Sequence, residues 1–134
     1  MINGIKPIIK PKPKITIKTE LLKVNHNNFD AAVCVLIENI HRCYENWNNK
    51  TKYAGLSNRT IDISTKVGSK FIKIVRENSV WGFVARVDGT HNGLPLKKGD
   101  VLKAAGWSQP AKHTRGNIFD DNQDYFDWTG PNYL

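Results

Sequence analysis

Residues 66–118 read KVGSKFIKIVRENSVWGFVARVDGTHNGLPLKKGDVLKAAGWSQPAKHTRGNI and contain the strongest strand signals of the chain. The first apolar run is FIKIV, residues 71–75, and the second is VWGFVARV, residues 80–87. Alternation along the second run predicts one shared face for Trp81, Phe83, Ala85 and Val87. The polar residues 77–79 separate the two runs, and this pattern is typical of an antiparallel β-hairpin.

The same stretch continues through tight turns to a third strand. The pairs DG at 88–89 and NG at 92–93 indicate a connection that ends near Pro95. KGD at 98–100 predicts another turn, followed by a short strand over residues 101–105. GWSQP at 106–110 then breaks the strand pattern, so the basic segment that follows is predicted to form a binding loop.

The region before this stretch predicts one helix. Asn27 or Asn28 is a suitable N-cap, and Asp30 lies in the first turn, where the helix dipole favours an anion. Apolar residues then recur every three or four positions, at Phe29, Val33, Leu36, Ile37, Ile40, Tyr44 and Trp47. We therefore predict a helix over residues 28–47.

The chain as a whole is predicted to form one α+β domain over residues 15–134. In this fold the amphipathic N-terminal helix packs on an antiparallel β-sheet that is built mainly from residues 66–130. An extended Lys/Pro arm, residues 1–14, precedes the domain, because alternating prolines prevent a helix there. Residues 15–19 are rich in β-branched residues and alternate, which predicts a short first strand. Residues 50–65 are predicted to be a connection, within which Ile61 and Ile63 alternate as in a short strand.

The charge of the chain is positive and unevenly distributed. The formal net charge is +8, and all 20 Lys and Arg residues lie within residues 1–115, whereas residues 116–134 contain four Asp and no base. An excess of positive charge favours an anionic partner such as a nucleotide or nucleic acid, although a solvated basic surface has the same composition. No apolar run reaches the length of a membrane span, so no membrane partner is expected. Cys34 and Cys43 lie more than two helical turns apart, and we expect buried free thiols in a reducing compartment.

Motifs for catalysis and metal binding are not found in the sequence. The chain has no P-loop, no dinucleotide-binding glycine pattern, no HExxH and no GxSxG. Its four histidines lie on different predicted elements without metal-ligand spacing. We therefore expect a binding protein that has no catalytic residues, no metal and no cofactor.

The basic segment from Lys103 to Asn117 has the composition of a phosphate- and base-binding loop. Cationic side chains and glycines that let backbone N–H groups approach suit a phosphate, and an aromatic or guanidinium face suits a base. The segment supplies these groups through Lys103, Trp107, Lys112, Arg115 and Asn117. The alternative is that Trp107 belongs to the core and the lysines are solvated. Trp81 and Phe83 likewise have two interpretations: they belong to the hairpin core, or they form the wall of a ligand pocket.

Several motifs resemble a family of small bacteriophage proteins. These are KFIKIV, SVWGFV, GDVLKAAGW, PAK and RGNI, followed by WTGP, and they cover roughly residues 66–131. The characterised proteins that the chain resembles are the phage anti-Thoeris sponge proteins of the first described type. That resemblance implies a helix on an antiparallel sheet, a homo-oligomer in the host cytoplasm, and sequestration of a cyclic ADP-ribose isomer, with cyclic oligonucleotides as further ligands, without cleavage.

The resemblance also implies roles for particular residues. Arg115 and Lys112 would hold the pyrophosphate, and Asn117 would contact a base edge or a ribose hydroxyl. A base would stack on Trp107, Trp81 or Phe83, with Arg42 closing the site from the same or a partner subunit. The long 88–96 connection and the acidic segment 120–127 differ from the family pattern, and their place relative to the pocket is open.

Two further expectations come from the residues themselves. One helix covers one face of a sheet, so the opposite face needs a partner subunit or the arm. This argument, too, predicts at least a dimer. The alternative function is a small basic protein that binds single-stranded nucleic acid or inhibits a host factor.

Overall fold

The computed structural model of the protein describes residues 20–50 and 61–133. It consists of one helix, α1 (Phe29–Lys50), followed by nine strands. These are β1 (Ile63–Val67), β2 (Phe71–Arg76), β3 (Ser79–Ala85), β4 (Gly89–His91), β5 (Leu94–Leu96), β6 (Asp100–Ala104), β7 (Pro110–Asn117), β8 (Phe126–Asp127) and β9 (Gly130–Pro131). The predicted arm, the predicted strand at 15–19 and most of the 50–65 connection lie outside the described residues. The predicted α+β architecture is confirmed.

Helix α1 begins one residue after the predicted start at Asn28 and ends three residues after the predicted end at Trp47. The Asn28 side chain accepts a hydrogen bond from the backbone N–H of Ala31 at 2.9 Å, as an N-cap does. In the predicted stripe, Val33, Leu36, Ile40 and Tyr44 are buried and Ile37 is partly buried, but Trp47 is 45% exposed near the end of the helix. Cys34 is exposed and Cys43 is half-buried, so the prediction of two buried thiols was wrong, although neither forms a disulfide with a described residue. Cys34 faces solvent because it lies outside the apolar stripe.

Five strands form one antiparallel sheet in the order β1-β2-β3-β6-β7. The helix packs on one face of this sheet, where its buried residues meet Ile72, Ile74, Val84 and Val101 in one core cluster. The opposite face, which we call the helix-free face, includes one row of paired residues across all five strands. That row is Lys66, Lys73, Phe83, Leu102 and Thr114.

A β-bulge changes the predicted face of Trp81. Ile74 pairs with Gly82 and Val75 pairs with Val80, so Trp81 is the extra residue on β3. The bulge turns its side chain into the helix-side core, where it is 1% exposed. Phe83 points to the helix-free face instead, with its ring 6.0 Å from that of Phe71. The predicted common face for Trp81 and Phe83 was therefore wrong.

The predicted connection at 88–95 is a hairpin, made of strands β4 and β5, that packs on the helix-free face. Leu96 forms a second core cluster with Ala85 and Leu102, and Phe71 packs against that cluster. Asn92 and Gly93 form the turn with φ values of 52° and 79°, which suit an Asn-Gly pair. Part of the second sheet face is therefore covered by the same chain, and the homo-oligomer stays a prediction.

The segment after Trp107 is a strand over much of its length. Residues 110–117 form the eight-residue edge strand β7 rather than the predicted loop. The loop itself is limited to residues 105–109, all of which are exposed. No helix among the described residues is long and apolar enough to cross a membrane.

Candidate functional site

The residues predicted to form one site lie in several separate places. Lys103 and Arg115 contact the C-terminal segment on the helix side of the sheet. Arg42 lies on α1, where it pairs with Glu38 and donates to the backbone carbonyl of Glu20. The others are Trp81 in the core, Asn117 at the end of β7, and Phe83, Trp107 and Lys112, which lie at grooves of the helix-free face or beside them.

Arg115 and Lys103 hold the last described residues of the chain. Arg115 Nη1 donates to the carbonyl of Asn132 at 2.6 Å, and its Nε donates to the carbonyl of His113 at 3.1 Å. Lys103 Nζ donates to the carbonyl of Pro131 at 2.8 Å. Burial, and secondarily the nearby Arg115 charge, lowers the pKa of Lys103. Both cations therefore have partners inside the chain, and their contact with a ligand stays a prediction.

The two residues after Arg115 also have roles in the fold. A Cβ atom at Gly116 would lie 2.3 Å from the Tyr125 ring, so glycine permits that ring to pack against β7. Burial, and then the charge of Asp120, raises the pKa of Tyr125 well above its usual range. Asn117 donates to the carbonyl of Lys98 and to Asp100, and accepts from the N–H of Phe119. The RGN motif, residues 115–117, thus holds β7 to the C-terminal segment and to the turn that contains Lys98 and Asp100.

A groove of about 300 Å³ on the helix-free face collects basic and aromatic residues. We call it the basic–aromatic groove, and it is lined by residues 66–71, Lys73, Phe83 and Ser108. Phe71 and Phe83 provide its apolar surface, and Lys73 Nζ lies 4.5 Å from the centre of the Trp107 ring. Trp107 is 52% exposed, so its ring is accessible beside the groove.

Three lysines line this groove that sequence reasoning did not select. Lys66, Lys70 and Lys73 belong to β1, β2 and the turn between them. Lys66 and Lys73 are direct cross-strand partners, an arrangement that places like charges side by side and costs stability. The described residues that line the groove include no carboxylate to offset this repulsion. The signal available in the sequence was the cluster of three lysines within residues 66–73, but the pairing of Lys66 with Lys73 depended on the strand register.

A second groove, of about 380 Å³, lies on the other side of the β4–β5 hairpin. We call it the hairpin groove, and it is lined by His91, by strand β5 and by residues 112–114 of β7. It includes the predicted site residue Lys112. The rings of His91 and Phe71 are 5.5 Å apart, so this contact separates the two grooves.

The two segments that depart from the phage family pattern have different places. The hairpin at 89–96 lines the hairpin groove. The acidic segment lies on the helix side, where Asp121 pairs with His26 at 2.7 Å and Gln123 bonds to Asn39 and to the carbonyl of Leu22. Among the described residues, no group of three or more His, Cys, Asp or Glu is arranged to hold a metal ion.

Comparison with known proteins adds a family without a described activity. No curated protein and no solved structure matches the chain. A family model matches residues 16–134, which is most of the chain and includes the helix and every strand of the fold. The chain therefore belongs to DUF7717, a family of unknown function.

Proposed function

We propose that this protein binds a signalling nucleotide in the basic–aromatic groove and sequesters it without cleaving it. The observation that carries the proposal is the pair Lys66 and Lys73, held opposite each other in a groove without a described carboxylate. A bound phosphate relieves the repulsion between the two ammonium groups and gains charge-assisted hydrogen bonds. In the free protein the two ammonium groups therefore repel each other, and a bound anion reduces that repulsion.

The aromatic residues favour a nucleotide over a simple anion. Phe71 and Phe83 form the apolar surface beside the lysines, and the half-exposed Trp107 ring offers a face for stacking. Stacking of a base on an aromatic side chain contributes about 1–3 kcal/mol. Phosphate and base would then contact adjacent parts of one groove, which a free phosphate would occupy only in part.

The ligand class that we propose is a cyclic ADP-ribose isomer, in line with the resemblance to phage anti-Thoeris proteins. Such a ligand has a pyrophosphate for the lysines and an adenine for the rings. Lys112 lines the hairpin groove, and Arg115 and Asn117 bond within the chain, so the proposal assigns none of these three residues to the ligand in the basic–aromatic groove. A groove of about 300 Å³ is at the lower limit of ligand pockets, so a homo-oligomer that closes it would increase the buried ligand surface.

The test is capture of cyclic ADP-ribose by the full chain. The protein is incubated with the compound, passed through a desalting column and heated, and the released material is identified by liquid chromatography and mass spectrometry. Recovery of intact cyclic ADP-ribose at a fixed molar ratio supports the proposal. Recovery of linear ADP-ribose, or of no nucleotide, would contradict sequestration.

A matched set of variants tests the location of the site. Lys66→Gln combined with Lys73→Gln should weaken binding by about two decades, because two charge-assisted contacts are lost. Lys23→Gln removes an exposed lysine that lines neither groove, and it should bind like the unmodified protein. Equal loss in both variants would indicate a general charge effect instead of a site.

A second candidate function is binding of single-stranded nucleic acid. It is favoured by the row on the helix-free face, where Lys66 and Lys73 precede Phe83 across the sheet. Lysines beside aromatic rings on a sheet surface are suited to backbone and base contacts of a single strand. Affinity for a fluorescent oligonucleotide should then fall steeply between 50 and 200 mM salt, as release of counterions requires. A pocketed small nucleotide should change far less over the same range.

A further inference from the structure

The hairpin groove has a polar wall made by three consecutive residues of one edge strand. Lys112, His113 and Thr114 of β7 are all exposed. Consecutive residues of a regular strand point to opposite faces, but the β6–β7 ladder shifts register between Leu102 and Ala104. This irregularity, at the edge of the sheet, lets an ammonium, an imidazole and a hydroxyl line the same groove.

The opposite wall is fixed by the fold. His91 Nε2 donates to the carbonyl of Ala111 at 2.9 Å, which ties the β4–β5 hairpin to β7. At the other side of the hairpin, Lys70 Nζ donates to the carbonyl of Thr90. The hairpin is therefore anchored to β7 on one side and to the β1–β2 turn on the other.

The polar groups of this groove have little to bind inside the chain. Within residues 20–50 and 61–133, the side chains of Lys112, His113 and Thr114 make no hydrogen bond or ion pair. None of the described lining residues is a carboxylate. Strand β5, with sequence LPL, supplies an apolar surface next to these donors. The lining thus combines hydrogen-bond donors for an anion with a surface for an attached organic group.

We propose that the hairpin groove is a second binding site, which takes a phosphate monoester with an attached nucleoside or sugar. Lys112 and Thr114 donate to the phosphate oxygens, and the attached group packs on β5. The proposal goes beyond the sequestration of a cyclic ligand, because it adds a separate site on the other side of the β4–β5 hairpin. His113 and His91 lie at the groove, and their rings sense the charge of the bound phosphate.

The experiment is histidine side-chain NMR of the full chain, titrated with AMP at constant pH and salt. The protein has four histidines, and the two that line neither groove are internal controls: His26 is paired with Asp121, and His41 lies on α1. AMP should shift the resonances of His91 and His113 in a saturable manner and leave those of His26 and His41 unchanged. Adenosine, which lacks the phosphate, should leave all four unchanged.

Two variants separate this site from the basic–aromatic groove. Lys112→Gln should weaken the AMP response at His91 and His113 by about tenfold, because it removes one charged donor from an exposed site. Lys66→Gln combined with Lys73→Gln should leave that response within twofold. Equal shifts at all four histidines, no shift at His91 and His113, or loss of the response in the double variant would overturn the proposal.

Discussion

Replacement of Arg115 by alanine should destabilise the free protein and leave nucleotide affinity in the basic–aromatic groove unchanged. The guanidinium donates to the carbonyls of Asn132 and His113, at 2.6 and 3.1 Å, and so holds the C-terminal segment to β7. A hydrogen bond from a charged group contributes about 1.5–3 kcal/mol, and partial exposure of Arg115 reduces that amount. Its charge also lowers the pKa of Lys103, so its removal relieves some repulsion.

These effects together give an expected loss of about 1–2 kcal/mol in the free energy of unfolding. For a domain of this size, that loss lowers Tm by roughly 4–7 °C. The measurement is urea unfolding followed by tryptophan fluorescence, with affinity for cyclic ADP-ribose measured by calorimetry at 15 °C, where the variant remains folded. Lys73→Gln is a comparison variant with the opposite expected result. It removes a cation from the groove, so the free protein should be at least as stable, while its affinity for cyclic ADP-ribose should fall.

Sequence reasoning alone leads to the reverse pattern for Arg115. If Arg115 holds the pyrophosphate and is otherwise exposed, Arg115→Ala should weaken binding by about two to three decades. Its stability should then change by less than about 0.5 kcal/mol. An Arg115→Ala protein that unfolds like the unmodified chain but fails to bind would refute the structural reasoning and restore the β7 site.

Three further predictions concern the packing around the sheet. Gly116→Ala should cost at least about 2–3 kcal/mol, because its Cβ would lie 2.3 Å from the Tyr125 ring, and a smaller cost in urea unfolding would mean that the ring moves freely. Stability should fall by about 1.4 kcal/mol per pH unit above the ordinary tyrosine pKa of about 10, because unfolded Tyr125 ionises there while the folded side chain, with its raised pKa, keeps its proton. Tyr125→Phe should remove this alkaline slope in unfolding measured between pH 9 and 11, and an unchanged slope would assign it to another group. Asn39→Ala should lower the free energy of unfolding by about 3 kcal/mol, because the fully buried Asn39 side chain bonds to the backbone N–H and carbonyl of Leu22. Hydrogen exchange at the Leu22 amide should also accelerate. Unchanged exchange would show that Leu22 is held by other contacts.

Local sequence patterns predicted some residues of the candidate site and missed others. The basic and aromatic character of the chain was visible in its sequence, and Phe83 and Trp107 were selected from it. Apart from Arg42, the cations selected from the sequence were those close to Trp107 in the chain, within residues 103–115. The lysines that line the basic–aromatic groove come from β1, β2 and the turn between them, and they meet Phe83 and Trp107 through strand pairing.

The sequence by itself determined the elements whose signals are local. The apolar stripe and Asn28 set the start and the buried face of α1, because helical periodicity is a property of neighbouring residues. The runs at 71–75 and 80–87 determined the β2–β3 hairpin in the same way. Only the tertiary structure decided the face of Trp81, since one extra residue in β3 reverses the alternation and no local signal marks its position. It also decided that residues 89–96 cover part of the helix-free face and that the RGN motif binds the C-terminal turns, because both depend on contacts between segments far apart in the chain.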